Sequence, residues 1–282
     1  MKHSAKESIE LLLWAFLSIV CAFFIYPLVR KDADLIAASP ISVAVVAIIA
    51  VLAGAIFWWF AMSKLNRATV EKSFATILAL SIFMTLIPKG GLVPYLSGGY
   101  LIGGVALGII SMFALAAAIY YFAQYMKKSW ANTQKWYWVW NVLFCFSLVA
   151  IGAKFASVIS PIAALAVLGV VAIYDAWAVW KSKTMIKMAN YFLESRMCPG
   201  IIKPKPKKDK WALLGGGDVF FIVAVSLSFV KTNVNFAFTT AIAMFIAVIY
   251  LFIASEKGKM YPAIPYIFAG ALVGVLAGWT FL

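Results

Sequence analysis

Residues 161–180 read PIAALAVLGVVAIYDAWAVW, an apolar run interrupted by one carboxylate, Asp175. A run of about 20 such residues is long enough to cross the roughly 30 Å hydrocarbon core of a bilayer. A carboxylate inside it costs about 2.5–3.5 kcal/mol on insertion scales, so it needs a reason. Residues 211–230, WALLGGGDVFFIVAVSLSFV, repeat the arrangement with Asp218. These two stretches define a membrane-embedded chain that keeps two acids where acids are expensive.

The rest of the chain agrees. It has 282 residues, 65% of them hydrophobic and only 12% charged. Soluble domains usually carry about 25% charged residues, which excludes a water-soluble globular enzyme. Apolar stretches bounded by charge or by Pro and Gly fall at about 9–29, 35–62, 73–88, 101–126, 136–153, 161–180, 211–230, 236–254 and 262–282. The expected fold is an all-α polytopic membrane protein with nine transmembrane helices. Residues 1–180 carry the first six spans, 181–210 form a long loop, and 211–282 carry the last three. In that loop Lys181–Met197 could form an amphipathic helix, whereas Pro199–Lys210 is expected to be irregular because Pro204 and Pro206 lack helix donors. The apolar run from Ile9 to Val29 exceeds the 7–15 residues of a signal-peptide core, so a retained first span is expected.

Charge gives the sidedness. The net charge is +14, which in a soluble chain would suggest nucleic acid. Here nineteen of the 24 basic residues fall in alternate loops with the amino terminus, nine of them in 181–210, and five fall on the opposite side. That asymmetry orients the amino terminus and the 181–210 loop to the cytoplasm and the carboxyl terminus to the exterior. No nucleic-acid partner is needed.

Scarce residues exclude other chemistries. The only histidine is His3, so catalytic triads and His-based zinc sites are absent from the sequence. Cys21, Cys145 and Cys198 form neither a disulfide framework nor a metal-ligand set. No metal and no cofactor is expected. Gly270, Gly274 and Gly278, and likewise Gly104 and Gly108, have the small-residue spacing of close helix packing. Asn141 is expected to make an interhelical hydrogen bond, a relay role being the alternative.

Of the ten acids, eight fall in loops, tails or at a membrane border, which leaves Asp175 and Asp218. Asp175 precedes Lys181 by six residues and Asp218 follows Lys210 by eight, so they lie roughly 9 Å and 12 Å from the same border. Antiparallel helices would bring the two carboxyls face to face. No basic residue lies at that depth, and two like charges so close share a proton rather than both ionise. Gly215, Gly216 and Gly217, immediately before Asp218, leave a face without β-carbons. That face could admit a substrate strand or serve a tight helix crossing. Tyr174 is a candidate hydrogen-bonding neighbour, with plain packing as the alternative.

These residues resemble those of a known family. Tyr174-Asp175 and Gly215-Gly216-Gly217-Asp218 are similar to the YD and GxGD motifs of presenilin and signal peptide peptidase. Pro262-Ala263-Ile264-Pro265 stands where that family has its PAL motif, with Ile in place of Leu. YDAWAVWKSKTMIKMAN, residues 174–190, resembles the archaeal presenilin homologues in particular.

The resemblance implies a presenilin-like fold and an intramembrane aspartyl protease. Asp175 and Asp218 would be the catalytic pair, supported by Tyr174 and Gly215–Gly217, with Pro262, Ala263, Ile264 and Pro265 contacting substrate. Proline at a helix start is also ordinary capping. The implied partners are transmembrane-helix substrates in a lipid bilayer, those of presenilin-like orientation having an external amino terminus. No obligatory accessory subunit is expected, and a homo-oligomer is allowed. A proton-coupled transporter or cation leak channel would use the same acids, but it predicts an inverted repeat that the sequence lacks. A prepilin peptidase also uses GxGD, with fewer spans and no PAL.

Overall fold

Few charges and many small residues favour helices stacked on one another by close backbone approach. The computed structural model describes residues 5–30, 45, 48–49, 67–86, 101–195, 199–205, 211–256 and 261–280. The expected second span, 35–62, lies almost wholly outside these, as do residues 196–198 and 206–210.

The described helices are α1 (Ala5–Arg30), α2 (Arg67–Leu86), α3 (Leu101–Lys128), α4 (Trp130–Val158), α5 (Pro161–Trp180), α6 (Thr184–Ser195), α7 (Gly216–Ser228), α8 (Val234–Ala254) and α9 (Ile264–Trp279). Two strands, β1 (Gly200–Pro204) and β2 (Trp211–Gly215), pair antiparallel before α7. Four helical segments are long and apolar enough to cross a membrane: Glu7–Pro27, Ala131–Val158, Pro161–Trp180 and Val234–Ala254. Ile264–Trp279 is apolar but shorter. Among the described residues, four of the nine expected spans meet these criteria. Large side chains left exposed on these helices, such as Phe24, Ile162, Ile173 and Ile253, would be a liability in water and suit a lipid surface.

Helix α4 runs through the middle, touching α1, α2, α3, α7 and β1. Its buried face includes Trp140, Phe144, Leu148 and Val149. Helices α8 and α9 make the most extensive contact in the molecule, and the glycine ladder explains it. A β-carbon on Gly274 would stand 2.5 Å from the Thr240 Cα, and one on Gly270 would stand 2.8 Å from the Ala243 carbonyl oxygen. Gly278 abuts the Phe236 ring in the same way. The expected packing role holds for these three.

Three sequence expectations are corrected. Helix α2 begins at Arg67, not near 73, so Glu71 is not a loop residue. It is buried at 7% exposure, accepts from Gln124 Nε2 at 2.8 Å and pairs with Lys127. Glu7 is likewise buried and pairs with Lys205 at 3.1 Å. Helix propensity and paired charges carry these helices past the borders that apolarity alone would set. Residues 199–210 are not wholly irregular, and 211–215 do not begin a helix: Ile201 faces Leu214, Ile202 faces Leu213 and Lys203 faces Ala212 in the β1–β2 ladder. Pro204 forbids a helix, as expected, but tolerates a strand at a position that donates nothing to the ladder.

The hairpin is tied to the bundle by charge. Lys203 Nζ lies 2.5 Å from Glu10 Oε2 and donates to the Tyr137 hydroxyl at 2.7 Å. That hydroxyl donates to Glu10 Oε1 at 2.6 Å. Burial lowers the Lys203 pKa, but the bonds to Glu10 and Tyr137 together outweigh it and hold the ammonium above its ordinary value of 10.5. The stability it contributes is therefore complete below that ordinary value and is lost only as pH rises through the raised one.

Gly274→Val drives two methyls into the α8 backbone. It should destabilise the protein by about 1–3 kcal/mol, seen as a lowered unfolding temperature in detergent; an unchanged temperature would contradict the packing described.

Candidate active site

Asp175 lies on α5, only 5% exposed. Its Oδ2 accepts a hydrogen bond from the Ile264 amide of α9 at 3.3 Å. The amides at a helix start have no intrahelical partner, and α9 opens without a side-chain cap of its own: Ala263 is the N-cap residue and Pro265, two positions on, has no N–H. Asp175 supplies from another helix what a capping side chain would supply locally. The Pro262–Pro265 segment therefore meets the acid through its backbone. Pro262 and Ile264 are buried, while Ala263 and Pro265 are half-buried.

Asp218 occupies the third helical position of α7, whose N-cap is Gly215. Its carboxyl folds back over the start of the helix, against Gly215, the direction of an N3-to-N-cap approach in a capping box. Both acids thus sit at helix amino termini, where free amides and the helix dipole favour an oxygen ligand. Helices α5 and α7 pack together, and α9 touches both. The Asp175 and Asp218 carboxyls lie within electrostatic reach of one another. Among the described residues neither acid has an ion-pair partner, as the sequence led us to expect, and no cluster of metal-ligating side chains occurs.

The three glycines have different surroundings. A β-carbon on Gly216 would lie 2.5 Å from Phe144 Cζ and 3.0 Å from the Pro199 carbonyl oxygen, so this glycine lets α7 pack on α4 and the hairpin. On Gly215 it would stand 2.9 Å from Asp218 Oδ2, crowding the acid. On Gly217 it would meet nothing within 4 Å. Gly217, next to Asp218, faces open space. Tyr174 is half-buried, its ring 6.1 Å from that of Trp177 on the same helix. Among the described residues it makes no hydrogen bond to either acid, so packing is what its surroundings show.

The β2 strand runs directly into Asp218, and its hydrogen-bond parity can be read from three independent contacts. Facing residues of an antiparallel ladder alternate between pairs that exchange both bonds and pairs that exchange none. The Gly216 amide donates to the Pro199 carbonyl at 3.0 Å, fixing that pair as a bonded one. Ile202, three residues on, spends its N–H and C=O on Asn141. Pro204, with the same parity as Ile202, has no N–H to spend. Ile202–Leu213 is therefore a non-bonded pair, and Leu213 turns its own N–H and C=O to the edge of β2 that no described strand covers. Sequence reasoning missed this edge. The available signal was Gly200-Ile-Ile and Trp211-Ala-Leu-Leu, two short runs flanking a Pro/Lys-rich turn.

No family model matches the sequence, and no curated protein is similar to it. Solved structures are similar in fold. One, described as a presenilin family intramembrane aspartate protease in the P2 space group, matches with a TM-score of 0.65 at 18% identity, over 97% of each chain. Another so described, in C222, gives 0.63 at 17% identity, over 98% of this chain and 99% of that one. The chain has the presenilin-type fold.

Gly216→Ala should lower the unfolding temperature, at a cost of about 1–3 kcal/mol from overpacking. Gly217→Ala should leave it unchanged or slightly higher, since Ala favours helix by up to about 1 kcal/mol. Equal effects of the two would refute the assignment of packed and open faces.

Proposed function

We propose that the protein is an intramembrane aspartic endopeptidase that hydrolyses peptide bonds within transmembrane segments, with Asp175 and Asp218 as its catalytic pair. The observation that carries this reading is the convergence of two unpaired-by-base carboxyls from adjacent apolar helices beside the open face at Gly217. The presenilin-type fold supports it.

One carboxylate takes a proton from a water molecule as the water attacks the scissile carbonyl carbon. The protonated partner donates to the carbonyl oxygen. The resulting tetrahedral diol collapses as the leaving nitrogen receives a proton, and the acids exchange roles. The proton is a property of the pair, and neither residue owns it. Tyr174 and Gly215–Gly217 flank the pair; the glycines keep the approach to Asp218 narrow in side-chain bulk.

A helical substrate has its carbonyls closed in hydrogen bonds, so it must unwind locally. An unwound strand needs new backbone partners inside the membrane. The outward N–H and C=O of Leu213 on β2 supply them by strand addition, leading the chain toward Asp218. Pro262, Ala263, Ile264 and Pro265 line the Asp175 side and hold the second flank of the substrate.

In the orientation set by the basic loops, the amino terminus and the 181–210 loop are cytoplasmic, the carboxyl terminus is external, and substrates enter with an external amino terminus. The likeness to presenilin-type proteases of archaeal character favours the cell membrane and a chain that works without accessory subunits, as a monomer or homo-oligomer. No metal or cofactor takes part.

Purified protein in proteoliposomes should cleave a transmembrane peptide. Asp175→Asn and Asp218→Asn should each lower the rate at least 10²- to 10⁴-fold, the range of a lost general acid or base. Asp175→Asn keeps an oxygen for the Ile264 amide and should remain about 1 kcal/mol more stable than Asp175→Ala. Cleavage that survives either Asn substitution sinks the dyad; ion flux without proteolysis sinks the protease.

A further inference from the structure

We propose that Asn141, in the middle of α4, is a positioning residue that sets which substrate peptide bond is cut. It does so by locking the height of the β1–β2 hairpin against the bundle. The proposal rests on the protease reading above.

Asn141 is fully buried. Its Oδ1 accepts from the Ile202 amide at 2.9 Å, and its Nδ2 donates to the Ile202 carbonyl at 2.9 Å. A carboxamide carries a donor and an acceptor side by side, as a peptide unit does, so Asn141 acts as one residue of a third strand laid along β1. The expected helix-to-helix bond is replaced by a helix-to-strand one. The orientation of the amide is fixed, because reversing it would set donor against donor and acceptor against acceptor.

Few other residues can fill this place. Asp lacks the donor, Leu lacks both groups, and Ser or Thr offers a single oxygen. The bond pair also selects one register. If β1 slid so that Pro204 met Asn141, the strand could not donate and one bond would be lost. Sliding the other way would bring Gly200 to Asn141 and pull Lys203 away from Glu10 and Tyr137, its partners on α1 and α4. Tyr137 and Asn141 are one helical turn apart, so two successive contacts on the same face of α4 hold β1 at its adjacent residues Lys203 and Ile202.

The lock has a consequence on the far side of the hairpin. With β1 fixed on α4, β2 is fixed one strand spacing away, and its outward edge at Leu213 acquires a defined height relative to Asp175 on α5. Asp218 follows β2 by three residues in the chain, whereas Asp175 stands on a separate helix. The alignment between a strand laid on β2 and the second carboxyl therefore depends on the α4–β1 joint. The joint also consumes the only other edge of the hairpin, so an incoming strand can add to β2 alone.

Strand pairing has a period of two residues, and a shift of register moves the same face by that amount. Without the lock, alternative alignments two residues apart become accessible. Misplacement by about 1 Å can lower turnover on the order of 100-fold.

The test is mass spectrometry of the product termini from one transmembrane peptide, with kcat and KM, for wild type, Asn141→Leu and Asn141→Gln. Asp218→Asn serves as the blank. We expect new termini displaced by two residues in the variants, with kcat reduced about 10- to 100-fold and KM changed far less. A merely structural role would lower the active fraction and leave the termini where they were. Asn141→Leu strips both bonds and is read only if it unfolds at a measurable temperature in detergent. Asn141→Gln keeps both groups on a stem roughly 1.5 Å longer and decides the matter if the Leu variant does not fold. Wild-type termini in wild-type proportions from a folded variant overturn the proposal. Absence of cleavage by the wild type overturns the protease reading instead, so the two failures are separate.

Discussion

A backbone amide held away from water must find an acceptor, and this constraint fixes where both acids stand. Helix α9 starts inside the protein with Ala263 as its N-cap residue and a proline two positions on; α7 starts with glycines that offer no side chain. In each case a carboxyl stands at the helix start: Asp175 accepts from the Ile264 amide, and Asp218 folds back against Gly215. Removing water multiplies the cost of leaving such groups unmade. The acids are thus structural caps as well as candidate chemistry, and the two roles reinforce each other. A carboxyl already oriented by a helix start has fewer positions to sample before it can meet a water or a carbonyl.

The same constraint governs the hairpin. Two strands placed beside apolar helices expose two edges of polar backbone. One edge is met at Ile202 by the Asn141 carboxamide, while the Lys203 side chain anchors the strand to Glu10. The other is left open at Leu213, beside Asp218 and the vacant face of Gly217. Among the described residues no strand covers that edge, and an unpaired edge within an apolar bundle is costly. On the proposed reading, its position next to the carboxyls accounts for it.

Much of this was legible in the sequence because the signals were local or exclusive. An acid in an apolar run is rare enough to stand out, so Asp175 and Asp218 could be picked from ten acids by depth alone, and their proposed partnership rests on the absence of a base at that depth. The Gly270–Gly274–Gly278 spacing gave the α8–α9 contact for the same reason. What hydropathy could not reveal were elements set by tertiary partners. Trp211–Gly215 is as apolar as any helix turn, and only its pairing with Gly200–Pro204 makes it a strand. Asn141 read as a polar residue in a helix, but its partner lies 61 positions away in sequence. Glu71 and Glu7 read as loop or tail residues because charge marks a border in hydropathy; half-buried partners, Gln124 and Lys127 for one and Lys205 for the other, carry them inside the helices. The 35–62 span and the total of nine remain matters of the sequence pattern.

These two classes of contact differ in their response to pH, which bears on how activity should be interpreted. The scaffold that holds the hairpin depends on Lys203 staying an ammonium, and its partners keep it charged beyond the ordinary lysine value of 10.5. Across the neutral and mildly acidic range this cation therefore does not titrate. The Asn141 bonds carry no charge and do not titrate at all. On the proposed reading, a pH dependence of cleavage within that range would come from carboxyls and not from this lysine or this amide. The proposed pair would exchange its proton as a unit, in steps that neither residue owns. If the protein works as proposed, the dyad changes its protonation state through every turnover while the uncharged Asn141 joint keeps the hairpin in place.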